Sequence, residues 1–443
     1  MFRLQLFDRG IHPPENKNTN DYPTIRLDSF SKVQIPMSMH IGAPCTPVVK
    51  PGDKVLVGQL IGDSDAFMSA PVHSSVSGTV TAVKKVVASS GSAVEVVEID
   101  SDGFYTPHES VVPPVITDRV SFIEAVRKSG LVGLGGASFP THVKLCAMKG
   151  NEPDTLLINA AECEPFITSD YRQCLEHPDE IILGILDTIE WLGIERAVIG
   201  IEDNKPSAVK ILQYHINRVK CSDKVSIKIV KTMYPQGAEK MLIHHTLGRK
   251  VPTGGLPKDV GVLVLNVSTV RFIERYLKTG MPLVRKRITI DGDALVLQCN
   301  VNVPVGAYVS DIIDSIGGFK EPPSKILMGG SMMGIAMDRI DFGIIKANNA
   351  ILVLDSKQAM IPDETQCIRC SRCIDACPMR LIPTTIDVMA RTKDLEGLRK
   401  YNTGDCFECG CCSYVCPAKR YLVQNIRYGK NLLKYEDAKY NKC

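Results

Sequence analysis

The sequence predicts a multidomain α/β protein in four parts. These are an N-terminal β domain (1–112), a Rossmann-like α/β domain (113–280), a small β-grasp domain (281–330), and a linker into a helical, cysteine-rich domain (331–443). Three observations predict it. Short β-branched runs separated by Pro-Gly, Val-Gly and Ser-Gly turns fill the first stretch. Strand-like and helix-like segments then alternate, which implies a mostly parallel sheet covered by helices. Nine of the sixteen cysteines crowd between Cys367 and Cys416, and in a reducing compartment such crowding points to metal ligation rather than disulfides.

The β domain rests on "TPVVKPGDKVLVGQLIGD" and "APVHSSVSGTVTAVKKVV". The phrase "VKPGDKVLVGQLIG" resembles lipoyl and biotinyl carrier domains, which are barrel sandwiches bearing a lysine at a hairpin tip. The corresponding segment here, "SDAFMSAPVHSS", has no lysine, so a structural or docking role is expected in place of a swinging arm. "VVPPVITD" then reads as a linker.

"SFIEAVRKSG" reads as a helix, with Ser121 and Glu124 as a capping box and Gly130 at its end. "GLVGLGGASFP" follows. Gly133 and Gly135 fit the dinucleotide pattern G-x-G-x-x-G, but Ser138 stands where the third glycine belongs. That fingerprint must also follow a strand, and here it follows a helix, so a simple Rossmann reading fails. "PTHVKLCAMKG" reads as another helix, with Lys144 in its early turns. "DTLLINAAECEP" is a buried strand ending in an acidic turn. "DEIILGILDTIEWLGI" and "PSAVKILQYHINRVK" are helices, and "ERAVIGIED" and "VSIKIVKTMYP" are strands. "RKRITIDGDALVLQCNVNVPVG" suggests two strands around an Asp-Gly turn. "YVSDIIDSIGG" adds a short helix, completing a ββα unit of β-grasp type.

Cys367, Cys370, Cys373 and Cys377 form C-x2-C-x2-C-x3-C before Pro378. Cys406, Cys409, Cys412 and Cys416 repeat it before Pro417. In two-cluster ferredoxins the fourth cysteine of such a run serves the other 4Fe-4S cluster. Cys367, Cys370, Cys373 and Cys416 are therefore assigned to one cluster, and Cys406, Cys409, Cys412 and Cys377 to the other. Zinc ribbons use two C-x2-C pairs, and the third cysteine, the x3 step and the Cys-Pro ending have no use in them. Cys411 is spare. The segment between the runs has helical periodicity, which implies a helical ferredoxin. Cys45, Cys146, Cys174, Cys221, Cys299 and Cys443 read as core or surface thiols, and Cys163 lies inside the acidic turn.

Lys plus Arg number 52 and Asp plus Glu 49, a net charge of +3. That balance argues against a nucleic-acid binder, which carries a basic stripe. No apolar run of about 18 residues occurs, and the opening "MFRLQLFDRGIHPPENK" has no signal-peptide pattern. The expectation is a cytosolic protein, or one held at the cytosolic side of a membrane by partners.

Two clusters carry single electrons, and an α/β domain with a glycine loop beside them suggests a flavin, which exchanges both hydrides and single electrons. "SGLVGLGGASFPTHVKL" with "LINAAECEPFITSDYR" resembles the flavin-bearing NADH-oxidising subunit of respiratory complex I, and "YPQGAEK" and "LNVSTV" follow in the same order. Within that superfamily "GIHPPENK", "HIGAPCTPVV", "SAPVHSSVSGTV" and "GGSMMG" are similar to the RnfC family of the Rnf complexes, nearly from end to end.

The resemblance implies a barrel-sandwich domain, an FMN- and NADH-binding domain and an SLBB-like β-grasp domain. It implies that Gly133, Leu134, Gly135 and Gly136 lie against FMN, with Lys144 at its phosphate or at the dinucleotide. Asn159, Glu162 and Cys163 would approach the flavin ring or ribityl. Tyr234, Gly237, Ala238 and Glu239 would line the pocket, and Asn266 and Thr269 would close it. Phe139 would stack on nicotinamide or adenine, and Glu164 would approach NADH. Hydride transfer requires no side-chain acid or base; Glu164 and Glu239 would shape the field near the ring. Asn266 alone could merely cap the helix beginning "STVRFIERYL", and Lys144 alone could be a solvated surface residue. Ala161, Leu265 and Ser138 replace an acid, an asparagine and a glycine of the complex I pattern.

The implied role is a peripheral subunit on the cytoplasmic face of the membrane, moving electrons between 4Fe-4S clusters, FMN and NAD(H). Its expected partners are the other Rnf subunits and, through them, ferredoxin, with Na+ or H+ translocated by those subunits. The rival readings are a soluble reductase serving cobalamin or amino-acid reductases, and an iron–sulfur relay without flavin.

Overall fold

The computed structural model describes residues 9–87, 91–146 and 152–440. The end of the helix expected over "PTHVKLCAMKG", and Cys443, lie outside the described residues.

The β domain is a sandwich of two small antiparallel sheets. One contains Lys32–Pro36, Ala93–Ser101, Gly78–Val87 and Lys54–Val55, and the other Thr46–Pro47, Leu60–Asp63 and Val72–His73. Val33, Ile35, Met37, Val55, Ile61, Val72, Val97 and Ile99 fill the space between them. The alternation along the strands points these side chains inward. Residues 9–26 do not join this sandwich. Ile11 bridges to Tyr234, and Ile25–Arg26 pairs in parallel with Val301–Asn302. The N-terminal stretch is thus laid across the other modules as a strap.

The first helix, Arg119–Lys128 (α1), begins earlier than the Ser121–Glu124 box predicts. Asp118 is the cap. Its carboxylate accepts from the Ser121 amide at 2.8 Å, and the Ser121 hydroxyl accepts from the Asp118 amide at 3.0 Å. A carboxylate caps the unpaired N–H groups of a helix start about as well as a hydroxyl, and its charge also suits the dipole there. Glu124 instead pairs with Lys128 one turn on, at 2.8 Å. Gly130 follows the helix end with φ +68°.

Thr141–Cys146 (α2) follows the glycine loop. Four parallel strands then build the central sheet in the order Val225–Val230, Arg196–Glu202, Thr155–Ala160, Val262–Asn266. Their connections run through Ser169–Glu176 (α3), Pro178–Leu192 (α4), Pro206–Val219 (α5) and Glu239–Leu247 (α6), and Val267–Thr279 (α7) follows the last strand. Ile181, Ile182, Ile185 and Ile189 of α4 pack with Val270 and Ile273 of α7 in one core.

The next module is a six-stranded sheet that runs to Leu354. Arg285–Asp291 and Cys299–Pro304 are antiparallel neighbours, as expected, but residues 292–298 connect them in place of a tight Asp-Gly turn. Ala350–Leu354 lies alongside the first strand, and Gly292 passes close against it: a Cβ there would sit 2.1 Å from the Val353 carbonyl. The cysteine-rich part is helical, from Arg372–Asp375 to Leu422–Tyr440, with Leu381, Ile386, Leu398, Leu422 and Ile426 in its core.

The α4–α7 contact yields a test. A Cβ on Gly184 would lie 2.1 Å from the Val270 carbonyl. Gly184→Ala should therefore destabilise the α/β domain by about 1–3 kcal/mol through overpacking, seen as a lower melting temperature in calorimetry. Gly404→Ala, where a Cβ meets open space, should leave that temperature unchanged.

Candidate functional site

Open parallel sheets bind ligands beyond the carboxyl ends of their strands, where the strand order reverses. Here the reversal falls between Thr155–Ala160 and Val262–Asn266, and Asn159 and Asn266 stand opposite each other in register at those ends. The glycine loop lies directly against this point. A Cβ on Gly135 would meet the Asn266 amide nitrogen at 3.2 Å. The loop base is buried and tied down: the Gly133 amide donates to the Phe139 carbonyl at 2.9 Å, and the Leu134 amide to the Thr269 hydroxyl at 3.1 Å. Gly135, Gly136 and Ala137 are exposed. Gly136 has φ +117°, and a Cβ there would approach only the Asn349 amide, 3.9 Å away. Bare backbone of this kind beside a helix start suits an anion. Among the described residues the buried hydroxyls of Ser138 and Thr141 have no hydrogen-bond partner, which fits a site built to receive a polar group.

Asn266 also caps α7, its Oδ1 accepting from the Ser268 amide at 2.8 Å. Its Nδ2 donates to Asp170 at 2.6 Å, and the Ser268 hydroxyl donates to the other Asp170 oxygen at 2.6 Å. Nothing in the sequence singles out Asp170 for this place.

A second wall comes from the turn after the first strand. Asn159 Nδ2 donates to the Gly237 carbonyl at 2.8 Å, and the Gly237 amide to Cys163 Sγ at 3.1 Å. Burial, with Glu202 beside it, pushes the Cys163 thiol up to about 12. Ala238 leads into α6, whose first residue, Glu239, is ion-paired with Lys144 of α2. That pair spans the space between the glycine loop and this wall. Phe139 is half-buried at the loop's exit.

Two predicted residues point elsewhere. The Glu162 carboxylate accepts from the Asp170 and Tyr171 amides at 2.6 and 2.9 Å, closing the start of α3. Burial, with the Asp170 charge, pushes it up to about 7. Glu164 accepts from the Met332 and Met333 amides at 2.6 and 3.1 Å and fills the space over Gly330. It therefore fastens the 329–334 loop, and burial raises its pKa. Lys17 of the strap holds the same turn. Its ammonium donates to the carbonyls of Glu162, Glu164 and Ile167 at 2.8, 2.8 and 2.6 Å. In the sequence nothing separates it from a solvated lysine. Ala161 and Leu265 lie in the apolar cores.

Cys367, Cys370, Cys373 and Cys416 line one cavity with Ser371, Thr384 and Ala418. Cys412 has Cys409, Cys406 and Cys377 as titratable neighbours. In each group the fourth cysteine comes from the other run. Cys367 and Cys370 are exposed, whereas Cys409 and Cys412 are buried. Cys409 meets the α/β domain, where the Tyr234 hydroxyl donates to its carbonyl at 2.7 Å. Cys411 is fully buried, with its thiol directed at the Tyr234 carbonyl 3.8 Å away.

Three family models match the chain. They are the RnfC barrel sandwich hybrid domain over residues 5–104, the Nuo51 FMN-binding domain over 126–275, and the 4Fe-4S dicluster domain over 366–419. Among curated proteins, the chain is 41% identical to the RnfC protein of the proton-translocating ferredoxin:NAD(+) oxidoreductase complex of Clostridium ljungdahlii, covering 97% of this chain and 94% of that one. It is 39% identical to its counterpart in the Na(+)-translocating ferredoxin:NAD(+) oxidoreductase complex of Acetobacterium woodii, covering 96% of each. It is 36% identical to the counterpart in the ion-translocating oxidoreductase complex of Rhodobacter capsulatus, covering 96% of this chain and 82% of that one.

The loop anchor can be tested by itself. Thr269→Val leaves the buried Leu134 amide without an acceptor, at a cost of about 1–3 kcal/mol. Hydrogen exchange should accelerate about 5- to 150-fold at residues 131–136, with exchange in the cysteine-rich helices unchanged.

Proposed function

The chain belongs to the RnfC family of ion-translocating ferredoxin:NAD oxidoreductase (Rnf) complexes, and on that premise we propose how its own residues serve the reaction. It is an NADH-linked oxidoreductase subunit with FMN and two 4Fe-4S clusters as cofactors and the other Rnf subunits as partners. We place it on the cytoplasmic face of the membrane, held by integral subunits that carry the translocated Na+ or H+. Among the described residues no helix is long and apolar enough to cross a membrane.

The bound flavin supplies hydride exchange with NAD(H) and single-electron exchange with the clusters. The exposed backbone at Gly135–Ala137 receives the flavin phosphate, above the Gly133–Leu134 base held by Phe139 and Thr269. Lys144 brings a cation to the mouth of the site, to that phosphate or to the dinucleotide, and Glu239 holds it there. Asn159, Cys163, Gly237 and Ala238 orient the ring or ribityl, and Phe139 offers a stacking face to nicotinamide or adenine. Glu162 acts through α3, and thereby on Asp170 and Asn266. Glu164 acts through the 329–334 loop, which it draws over the strand ends. Cys367, Cys370, Cys373 and Cys416 hold one cluster; Cys377, Cys406, Cys409 and Cys412 hold the other.

The observation that carries this reading is the hydrogen bond from Tyr234 to the Cys409 carbonyl, 2.7 Å long. It joins a residue close to Gly237, on the flavin side, to the backbone of a cluster-binding run. Tyr234, Cys409 and Cys411 are buried in one apolar cluster with Cys163 packed against it, and this cluster is the wall that supports a short path between the flavin and the second cysteine set.

Purified chain reconstituted with FMN and iron should show a flavin absorbance that NADH bleaches under anaerobic conditions, followed by reduced-cluster EPR signals. Intact clusters with no flavin bound after reconstitution would favour the relay reading. The ligand assignment is tested by iron content. Cys411→Ser should keep about eight irons per chain, whereas Cys412→Ser should lose about half of them.

A further inference from the structure

Two lysines from the six-stranded-sheet module reach the base of the glycine loop through the protein interior. Lys346 is 0% exposed, and its ammonium donates to the Gly130 carbonyl at 2.7 Å and the Pro71 carbonyl at 2.6 Å. Lys286 is 5% exposed, and its ammonium donates to the Leu134 carbonyl at 3.1 Å. Among the described residues neither has a carboxylate within ion-pair distance. The acids whose charge they feel are engaged elsewhere. Asp170, facing Lys286, holds Asn266 and Ser268. Asp63, facing Lys346, is paired with Arg127 at 2.8 Å.

Burying an ammonium group without a counter-ion is costly even when carbonyls satisfy its protons. Burial pulls Lys286 down to about 8 and Lys346 down to about 7, the mark of cations lacking an adjacent counter-charge. Both amino groups sit behind a loop whose front, Gly135 to Ala137, is exposed, and an anion bound in front of it favours their protonated, charged form. A positive potential at low dielectric behind bare backbone is felt strongly by an anion in front of it.

We infer that Lys286 and Lys346 are positioning residues for the anionic end of the flavin, fixing the base of the loop at Gly130 and Leu134 and supplying the potential that selects a phosphate-bearing flavin over one without phosphate. This role rests on the flavin reading of the site. No covalent step is involved. The β domain takes part directly, because Pro71 shares the Lys346 ammonium with Gly130 and the Ile41 amide donates to the Ser138 carbonyl at 3.1 Å.

The test titrates the full chain, stripped of flavin, with FMN and with riboflavin, and follows the quenching of flavin fluorescence. The wild-type chain should bind FMN on the order of 100-fold more tightly than riboflavin. Lys286→Met and Lys346→Met should each weaken FMN about tenfold and leave riboflavin within about twofold, with near-UV circular dichroism and cluster absorbance unchanged. Equal loss of both flavins, or no loss of FMN in the double variant, overturns the inference. So do equal affinities of the wild-type chain for the two flavins, which keeps it falsifiable even where a variant does not fold. A wild-type chain that binds neither flavin would overturn the underlying flavin reading instead.

Discussion

A loop that receives an anion through its backbone must be bare at its tip and immobile at its base. The stretch from Gly130 to Leu134 meets that constraint by being held from three modules at once. Lys346 and Lys286 reach it from the six-stranded sheet, Thr269 from α7, and the Pro71 carbonyl of the β domain shares the Lys346 ammonium. Gly130 allows this crowding: a Cβ there would sit 2.6 Å from the Pro71 carbonyl and 2.9 Å from the Lys346 ammonium. A hydrogen bond from a charged donor contributes about 1.5–3 kcal/mol. These contacts therefore hold the loop base against the entropy of ordering a glycine-rich segment.

The module arrangement follows from that anchoring. In the carrier-like β domain, the segment that would present a modified lysine has Phe67 and Met68 exposed at its tip, while the stretch from Ser69 on is buried, with Pro71 on Lys346 and the Phe67 carbonyl 3.2 Å from His142. With no lysine in that segment and its later part packed against the glycine loop, the contacts fit a buttressing role for the domain. The N-terminal strap acts on the other wall. Lys17 gathers three carbonyls of the acidic turn, and Ile11 exchanges backbone hydrogen bonds with Tyr234. Glu164 then ties the 329–334 loop to the same turn. Tyr234 is where these constraints meet the cysteine-rich domain.

Much of this is legible in the sequence where the information is local. The cysteine runs declare themselves because ligand spacing is set by a few covalent bonds. The alternation of strand and helix, and the failure of the glycine loop to follow a strand, are equally local. The helix cap falls on Asp118 and not on Ser121 because both satisfy the rule, and only the helix start decides between them. Glu162 and Glu164 sit in the acidic turn as expected, but their carboxylates go to different neighbours, the start of α3 and the 329–334 loop, in a turn where Glu162 lies at φ +51°. Lys17, Lys286 and Lys346 are invisible, since a lysine in a chain with 52 basic residues reads as surface. Their partners lie more than a hundred residues away: Lys286 is 152 positions from Leu134, and Lys346 is 216 from Gly130.

The central claim is that the flavin is held by its phosphate on bare backbone at the switch point of the parallel sheet. A structure of the chain with FMN bound tests it most directly. Phosphate density is predicted within hydrogen-bonding distance of the backbone at Gly135–Ala137, with the ring directed toward Asn159 and Gly237. A flavin found instead in the cavity beneath the N-terminal strap, among His12, Lys17, Glu202 and Thr232, would contradict it.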